Sequence, residues 1–216
     1  MNRKIFLSVM TLSALLLSCK KEKMPEIPGI AYDNYSNLKV GNYWVYQRFT
    51  VDESGNETAT SVYDSCYIEK DTVINSKKYF KYCSSNGISV GSPGFPEYLR
   101  DSLHYIVNSA GNVLFSSWDY INNLHQSFHV ENADTLVRYT MKMTDKDAVT
   151  STPFGNFTTS NAQLELYTYP AFTFTVNPRY VNVRYAKDVG IVTKVLDFYW
   201  SLASYTELRL VRYHVA

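Results

Sequence analysis

Two short spacings in the sequence could support metal binding. His125 and His129, in the segment HQSFH, are four residues apart, which places both imidazoles on one face of a helix or a strand, as metal ligation requires. There is no adjacent glutamate of the HExxH kind, and Glu131 has the wrong parity for that strand face. Asp145 and Asp147 stand at alternate positions, but a calcium loop needs more oxygen ligands and a glycine turn. We therefore predict exposed histidines in a loop, a solvated hairpin tip at the two aspartates, and no metal or cofactor.

The sequence also lacks the residue patterns that are typical of catalytic sites. The sequence contains no GxSxG segment, glycine-rich phosphate loop or CxxC pair. Cys66 or Cys83 could act as a nucleophile only beside a base, and the sequence places none nearby. The carboxylates are scattered, so no glycosidase pair can be selected. We therefore predict that the protein is not an enzyme.

Cys66 and Cys83 could instead form a disulfide. The segment between them reads as a β-hairpin with a two-residue turn at 75–76. In a regular hairpin the two cysteines share a face but sit diagonally, about 7 Å apart. A relaxed disulfide needs Cβ atoms about 4 Å apart. We therefore favour two buried free thiols over a disulfide, although a one-residue bulge would change the register.

A third cysteine, Cys19, ends an apolar run near the start of the chain. A positive start with Arg3 and Lys4 precedes an uncharged segment at 5–18, which has the length of a signal-peptide core and is too short to span a bilayer stably. The segment LLSC resembles the bacterial lipobox, in which the small Ser18 lets a peptidase reach the bond before the cysteine. The thiol would carry diacylglycerol and the freed amine a further acyl chain such as palmitate. Each buried CH2 contributes roughly 0.8 kcal/mol to such an anchor.

The chain divides into three parts on this reading. Residues 1–18 are predicted to be a lipoprotein signal peptide, residues 19–37 a flexible tether and residues 38–216 a single β-rich domain. The tether carries Pro25 and Pro28, which cannot donate to a sheet ladder. Its start, CKKE, resembles lipoproteins of Bacteroidetes-type bacteria, so we expect a lipid-anchored outer-membrane protein of the cell envelope, on either the periplasmic or the surface face.

The net charge argues against nucleic acid as a partner. Removing residues 1–18 leaves 198 residues (216 minus 18) and takes the formal charge from +1 to about −1, since Arg3 and Lys4 leave with them. Phosphate binding needs a basic patch, which a near-neutral chain does not suggest. The expected partner is the membrane, through the N-terminal lipid, with any protein or glycan partner left open.

The body has the periodicity of strands throughout. Residues 135–143 alternate apolar and polar side chains, and residues 180–185 do the same. Residues 42–49 are apolar on both faces, which predicts a strand covered on both sides. The last segment changes phase between Leu210 and Val211, which predicts a bulge. These patterns predict an all-β fold with a mostly antiparallel meander, as a curved sheet or half-barrel, or alternatively a two-sheet sandwich. The segment WDYINNLHQSFH is the one stretch that could hold a helical turn.

Four motifs occur in a characteristic order: LKVGNYWVY, KDTVINSKKYF, TPFGNF and YAKDVGIVTK. Together they resemble a group of uncharacterised Bacteroidetes-type lipoproteins with a GNxWxY opening strand and a YAxxVGxV closing hairpin. The resemblance implies an all-β fold, with a curved half-barrel like that of periplasmic lipid carriers as one form. It implies no known activity.

The leading hypothesis is a non-enzymatic binding or structural module anchored by lipid. One alternative is a carrier of an apolar ligand in a curved sheet. Another is a glycan-binding lipoprotein, since the chain is rich in aromatic residues; exposure of its tryptophans, Trp44, Trp118 and Trp200, would favour it. Three Asp-Ser/Thr-apolar segments also resemble acceptors for O-glycans in Bacteroidetes-type envelopes, at Thr72, Ser102 and Thr135.

Overall fold

A computed structural model describes residues 32–85, 97–170, 177–196 and 204–216. These residues form thirteen β-strands, so the predicted all-β class is confirmed. The strands are β1 Tyr43–Val51, β2 Glu57–Ile74, β3 Lys77–Ser84, β4 Glu97–Ser102, β5 Tyr105–Asn108, β6 Val113–Ser116, β7 His125–Glu131, β8 Asp134–Met143, β9 Ala148–Thr152, β10 Gly155–Thr168, β11 Arg179–Ala186, β12 Gly190–Val195 and β13 Tyr205–His214.

The strands pair into one antiparallel meander rather than the two sheets of a sandwich. Their order is β6-β5-β4-β3-β2-β1-β13-β12-β11-β10-β8-β7, with β9 paired to β10. The sheet curls into a nearly closed barrel. This is shown by β6, at one end of the strand order, which meets β8, near the other end. There the Ser116 amide donates to Met143 Sδ at 3.4 Å. The predicted meander with strong curvature is therefore confirmed.

The first and last strands are neighbours in the middle of this sheet. Val45 pairs with Arg212 and Tyr46 with Leu210, so Val211 is an extra residue on β13. This is the bulge that the change of phase in the sequence predicts, and it lets β13 keep its apolar side chains on the inner face.

Alternation along the strands fills the inside of the barrel. Trp44 and Tyr46 of β1 are buried there, whereas Val45 and Phe49 on the outer face are only half-buried. The expectation that β1 is covered on both sides is therefore wrong. The strand that is buried along its whole length is β12, Gly190–Val195.

Strands β8 and β9 form one long arm of a hairpin with β10. Met143 pairs with Ala162 and Ala148 with Thr159, so residues 144–147 bulge out opposite two residues of β10. The predicted hairpin tip at Asp145 and Asp147 is thus wrong, because the chain continues in the same direction past the bulge. The true tip follows Thr152, at the segment TPFG.

The folded body begins earlier than residue 38. The ring of Tyr35 packs on Phe115 with centroids 4.9 Å apart. The Ser36 hydroxyl donates to the Asp101 carboxylate at 2.7 Å, and Asp33 pairs with Lys187. Residues 32–37, which are predicted as tether, therefore belong to the body, where they close one end of the barrel. We call this end, at which β1 begins, the N-terminal end of the barrel.

Candidate functional site

The predicted lipidation site, Ser18 and Cys19, lies outside the described residues, so its assignment stays a prediction. Among residues 32–85, 97–170, 177–196 and 204–216, no helix has the length and apolar character needed to cross a membrane.

The two remaining cysteines lie on opposite faces of the sheet. Glu69 bulges out of β2, so Cys66 pairs with Ser84 and Cys83 with Tyr67. Neighbouring positions of a strand point to opposite faces, so the predicted shared face is wrong. Both thiols are free in the structure, with Cys66 buried and Cys83 half-buried.

Neither thiol is activated. Burial raises the pKa of Cys66, against the opposing effect of hydrogen bonds with Tyr82 and Ser84. The pKa of Cys83 is also raised, chiefly by burial, and its thiol lies 3.7 Å from a Glu69 carboxylate oxygen. A nucleophilic cysteine needs a lowered pKa, so the geometry does not favour thiol catalysis at either position.

Aromatic side chains hold the inside of the barrel in place through polar contacts. The indole of Trp44 donates to the carbonyl oxygen of Val189 at 2.6 Å, and the Tyr46 hydroxyl donates to that of Ile191 at 2.9 Å. Burial raises the pKa of Tyr46 well above its usual range, so its hydroxyl stays a neutral donor. These aromatics of the GNxWxY motif therefore tie β1 to the turn before β12 and to β12 itself.

A small cleft remains above these rings, near the N-terminal end of the barrel. Its volume is about 20 Å³, which is room for about one water molecule. A carrier of a lipid-sized ligand needs several hundred Å³. The described residues thus form no cavity of carrier size at this cleft. It is lined by Tyr35, Leu38, Trp44, Tyr82, Leu99 and Ile106, among others.

Buried charged side chains also lie in the body, and they were not predicted from the sequence. Arg48 donates to the Asp64 carboxylate at 2.6 Å and 2.9 Å, and that carboxylate is fully buried. Lys194 of β12 is also buried, opposite Leu208. The charges of Asp64 and Lys194 shift the pKa of Cys66 in opposite directions, which places both near its thiol. In the sequence, Lys194 sits in the apolar run GIVTKV, and that mismatch is the signal that could have revealed the cluster.

The histidine pair does not form a metal site. His125 and His129 lie on strand β7 at one edge of the sheet, so their predicted loop placement is wrong. They share a face, but four residues of strand separate them by about 13 Å, too far to bind one ion. In the described part of the chain, no group of three metal-ligating side chains comes together. Asp145 instead pairs with Arg184 at 2.7 Å.

The three segments resembling O-glycan acceptors lie in different places. Thr72 is on β2, Ser102 ends β4 and Thr135 is the second residue of β8. All three side chains are half-buried. Their glycosylation stays a prediction.

Tryptophan exposure separates two roles. Trp44 is 2% exposed and belongs to the core, whereas Trp118 is 74% exposed in the loop between β6 and β7. That loop holds no helical turn. Trp200 lies outside the described residues. Trp118 stacks on His104 at 5.4 Å, and Tyr32 meets the same imidazole edge-on at 4.5 Å. In the sequence, the feature that could have indicated this exposed tryptophan is a pair of large apolar residues inside the turn-forming segment SSWDYINN.

The chain matches no protein-family model and no curated protein. Among solved structures, it is similar to a candidate exported protein with a YmcC-like fold from Bacteroides fragilis NCTC 9343. Identity is 12% and the TM-score 0.46, over 84% of this chain and 99% of that chain. It is also similar to a candidate lipoprotein from Parabacteroides distasonis ATCC 8503, at 14% identity and TM-score 0.45, over 85% of this chain and 100% of that chain. At this level of identity the similarity concerns overall structure, and no residue role is transferred.

Proposed function

We propose that the protein is a non-enzymatic module of the bacterial cell envelope, anchored in the outer membrane by lipid on Cys19. The observation that carries the proposal is the N-terminal sequence: two basic residues, an uncharged segment at 5–18 and the lipobox-like LLSC. The acyl chains supply the membrane affinity. Stable anchoring needs more than one chain, and a modified Cys19 would carry more than one.

The folded body supports a binding or structural role rather than a carrier role. In the described part of the chain, side chains such as Trp44, Tyr46 and Phe115 are buried inside it, and the cleft above them holds about 20 Å³. A barrel filled in this way presents its outer face and its loops to partners. The working surfaces of the module are therefore external.

Mass spectrometry of the N-terminal peptide tests the anchor. We expect the mature protein to begin at Cys19 with diacylglycerol on the thiol and an acyl chain on the amine. Cys19→Ser should abolish both modifications and leave the circular dichroism of the body unchanged, because the body begins at Tyr32. A peptide that begins elsewhere, or at an unmodified Cys19, would refute the anchor. Robust turnover in a hydrolase screen would refute the non-enzymatic role.

A second candidate function is glycan binding on the outer face of β1 and β2. Tyr43 lies opposite Tyr67, and Tyr63 lies on the same face of β2. Tyr63 and Tyr67 are exposed, and the Arg212 guanidinium lies 5.9 Å from the centre of the Tyr43 ring. Exposed rings beside a cationic donor offer an apolar face and a polar group side by side.

A polysaccharide array tests this second function. We expect the wild-type signal to fall in Tyr63→Ala and Tyr67→Ala. Tyr180→Ala is the matched control, since Tyr180 is an exposed strand tyrosine on β11. An array without hits, or an equal loss in the control, would rule this surface out.

A further inference from the structure

Three large apolar side chains are strongly exposed in two loops at the N-terminal end of the barrel. Leu103, in the turn between β4 and β5, is 65% exposed, and Trp118 and Ile121, between β6 and β7, are 74% and 94% exposed. The stacking of Trp118 on His104, the neighbour of Leu103, joins the two loops. We call Leu103, Trp118 and Ile121 the apolar patch. Large apolar side chains exposed in neighbouring loops are typical of interaction surfaces.

The loop that carries Trp118 and Ile121 is closed by its own hydrogen bonds. The buried Ser116 hydroxyl accepts hydrogen bonds from the amides of Trp118 and Asp119 at 3.1 Å and 2.8 Å. The Asp119 carboxylate in turn accepts from the amides of Ile121 and Asn122. The polar groups of the loop thus bond to one another, while the side chains of Trp118 and Ile121 are exposed. The loop presents these side chains in an ordered arrangement.

The backbone of the turn between β4 and β5 adds a further observation. Leu103 has a φ of 58°, in the left-handed region that a bulky side chain rarely adopts. Glycine or asparagine would fit that turn position with less strain. A leucine there costs free energy and exposes apolar surface, which folding of the body alone does not explain.

The point at which the chain enters the body bears on what covers the patch. The ring of Tyr32, the first described residue, lies 4.5 Å from the ring of His104 between centroids, and Trp118 stacks on the same imidazole. Thirteen peptide links separate Cys19 from Tyr32, and a chain of that length spans at most about 45 Å when fully extended. The chain from Cys19 enters the body at Tyr32, beside the patch, so an anchor at Cys19 keeps this entry point within about 45 Å of the lipid surface.

We propose that the apolar patch inserts into the lipid surface when the protein is anchored. This inference rests on the proposed lipid anchor at Cys19. Tryptophan favours the interface between headgroups and acyl chains, and apolar side chains of surface-bound proteins enter it by about 5–10 Å. The nearest ion pair beside Tyr32, between Asp33 and Lys187, is neutral overall.

Fluorescence quenching tests the contact. The full lipidated protein is reconstituted in phosphatidylcholine vesicles whose acyl chains carry bromine near the headgroup, and tryptophan emission is compared with that in unbrominated vesicles. Trp118→Phe removes the reporter and keeps a stacked ring on His104. We expect bromine to quench the wild-type emission, and the part of that quenching due to Trp118 to be lost in the variant.

A second pair of variants tests the rest of the patch. Ile121→Asp should reduce the Trp118 quenching, because a carboxylate opposes insertion beside it. Val130→Asp is the matched control: Val130 is an exposed apolar residue near the far end of β7, the strand that starts after the loop. It should leave the quenching unchanged.

The outcomes separate the two proposals. A protein that carries lipid by mass spectrometry but shows equal quenching in the wild type and in Trp118→Phe would overturn the membrane contact alone. An equal effect of Ile121→Asp and Val130→Asp would overturn it as well. An unmodified Cys19 in the same sample would overturn the anchor and, with it, this inference.

Discussion

Replacing Gly190 with alanine should destabilise the fold more than replacing any exposed glycine. Gly190 begins β12 with a φ of 104°, a region that L side chains rarely adopt. An added Cβ would also lie 3.2 Å from Trp44 Nε1 and 3.3 Å from two ring carbons. The indole cannot move aside freely, since it is 2% exposed and its Nε1 donates to the Val189 carbonyl at 2.6 Å.

The expected loss has two parts. A sparsely populated backbone conformation costs about 1–3 kcal/mol, and overpacking against a fixed core side chain costs a further 1–3 kcal/mol, roughly. Gly111→Ala provides the control, because Gly111 has a φ of 90° and nothing lies within 4 Å of its added Cβ. That variant should lose the backbone part alone. In a chain of this size, each kcal/mol corresponds to about 2–4 °C in Tm.

Urea unfolding followed by circular dichroism measures both variants. A double-mutant cycle with Trp44→Phe then isolates the contact, because phenylalanine lacks the indole nitrogen that the Cβ would meet. In that background, the cost of Gly190→Ala should fall to that of Gly111→Ala. If the two glycine variants lose equal free energy in the wild-type background, the indole is not the obstacle and the reasoning fails.

Three further predictions concern the hairpin turn, the thiols and one ion pair. Ser76→Gly should stabilise the protein by up to about 1 kcal/mol in urea unfolding, because Ser76 has a φ of 60°; unchanged or lower stability would contradict this. In native protein, a thiol reagent should label Cys83 and leave Cys66 unlabelled until unfolding, whereas a mass lower by two hydrogen atoms would reveal a disulfide. The Arg209 guanidinium lowers the pKa of Glu57 from its ordinary 4.5, so this pair stabilises the fold above that pH and the contribution is lost as pH falls through the folded pKa. Glu57→Gln should therefore lower stability at about pH 7, by at most about 1 kcal/mol, and by progressively less as the pH falls below 4.5; a loss that does not change with pH would contradict the pairing.

Local rules predicted the strands well. The alternation in 135–143 and 180–185 appears as β8 and β11, with Val137, Met141 and Val183 buried. The change of phase at Leu210 appears as the bulge in β13. These features depend on neighbouring residues and on one buried face, so the sequence alone contains the information.

Registers and loop roles were predicted less well, for identifiable reasons. The bulge at Glu69 moves the cysteines to opposite faces, and its polar, exposed surroundings leave no hydrophobic mismatch to reveal it. The bulge at 144–147 resembles a turn in composition, and only its partner strand β10 shows that the chain runs on.

The candidate surfaces depend on tertiary placement. The sequence left the exposure of Trp118 open, and the structure places it in a loop closed by hydrogen bonds to Ser116 and Asp119. Tyr32 reads as tether, but it contacts His104, which is 72 positions further along the chain. No periodicity encodes a contact of this kind.

The central position of β13 has a consequence for how the chain acquires its structure. Trp44 lies opposite Tyr213, and β1 gains its second neighbour only from the final strand, Tyr205–His214. Contacts between segments so far apart in the sequence form slowly. A polypeptide that lacks β13 therefore lacks the strand that joins the two halves of the described sheet, so we expect β1 and β12 to remain unpaired with each other until β13 adds between them.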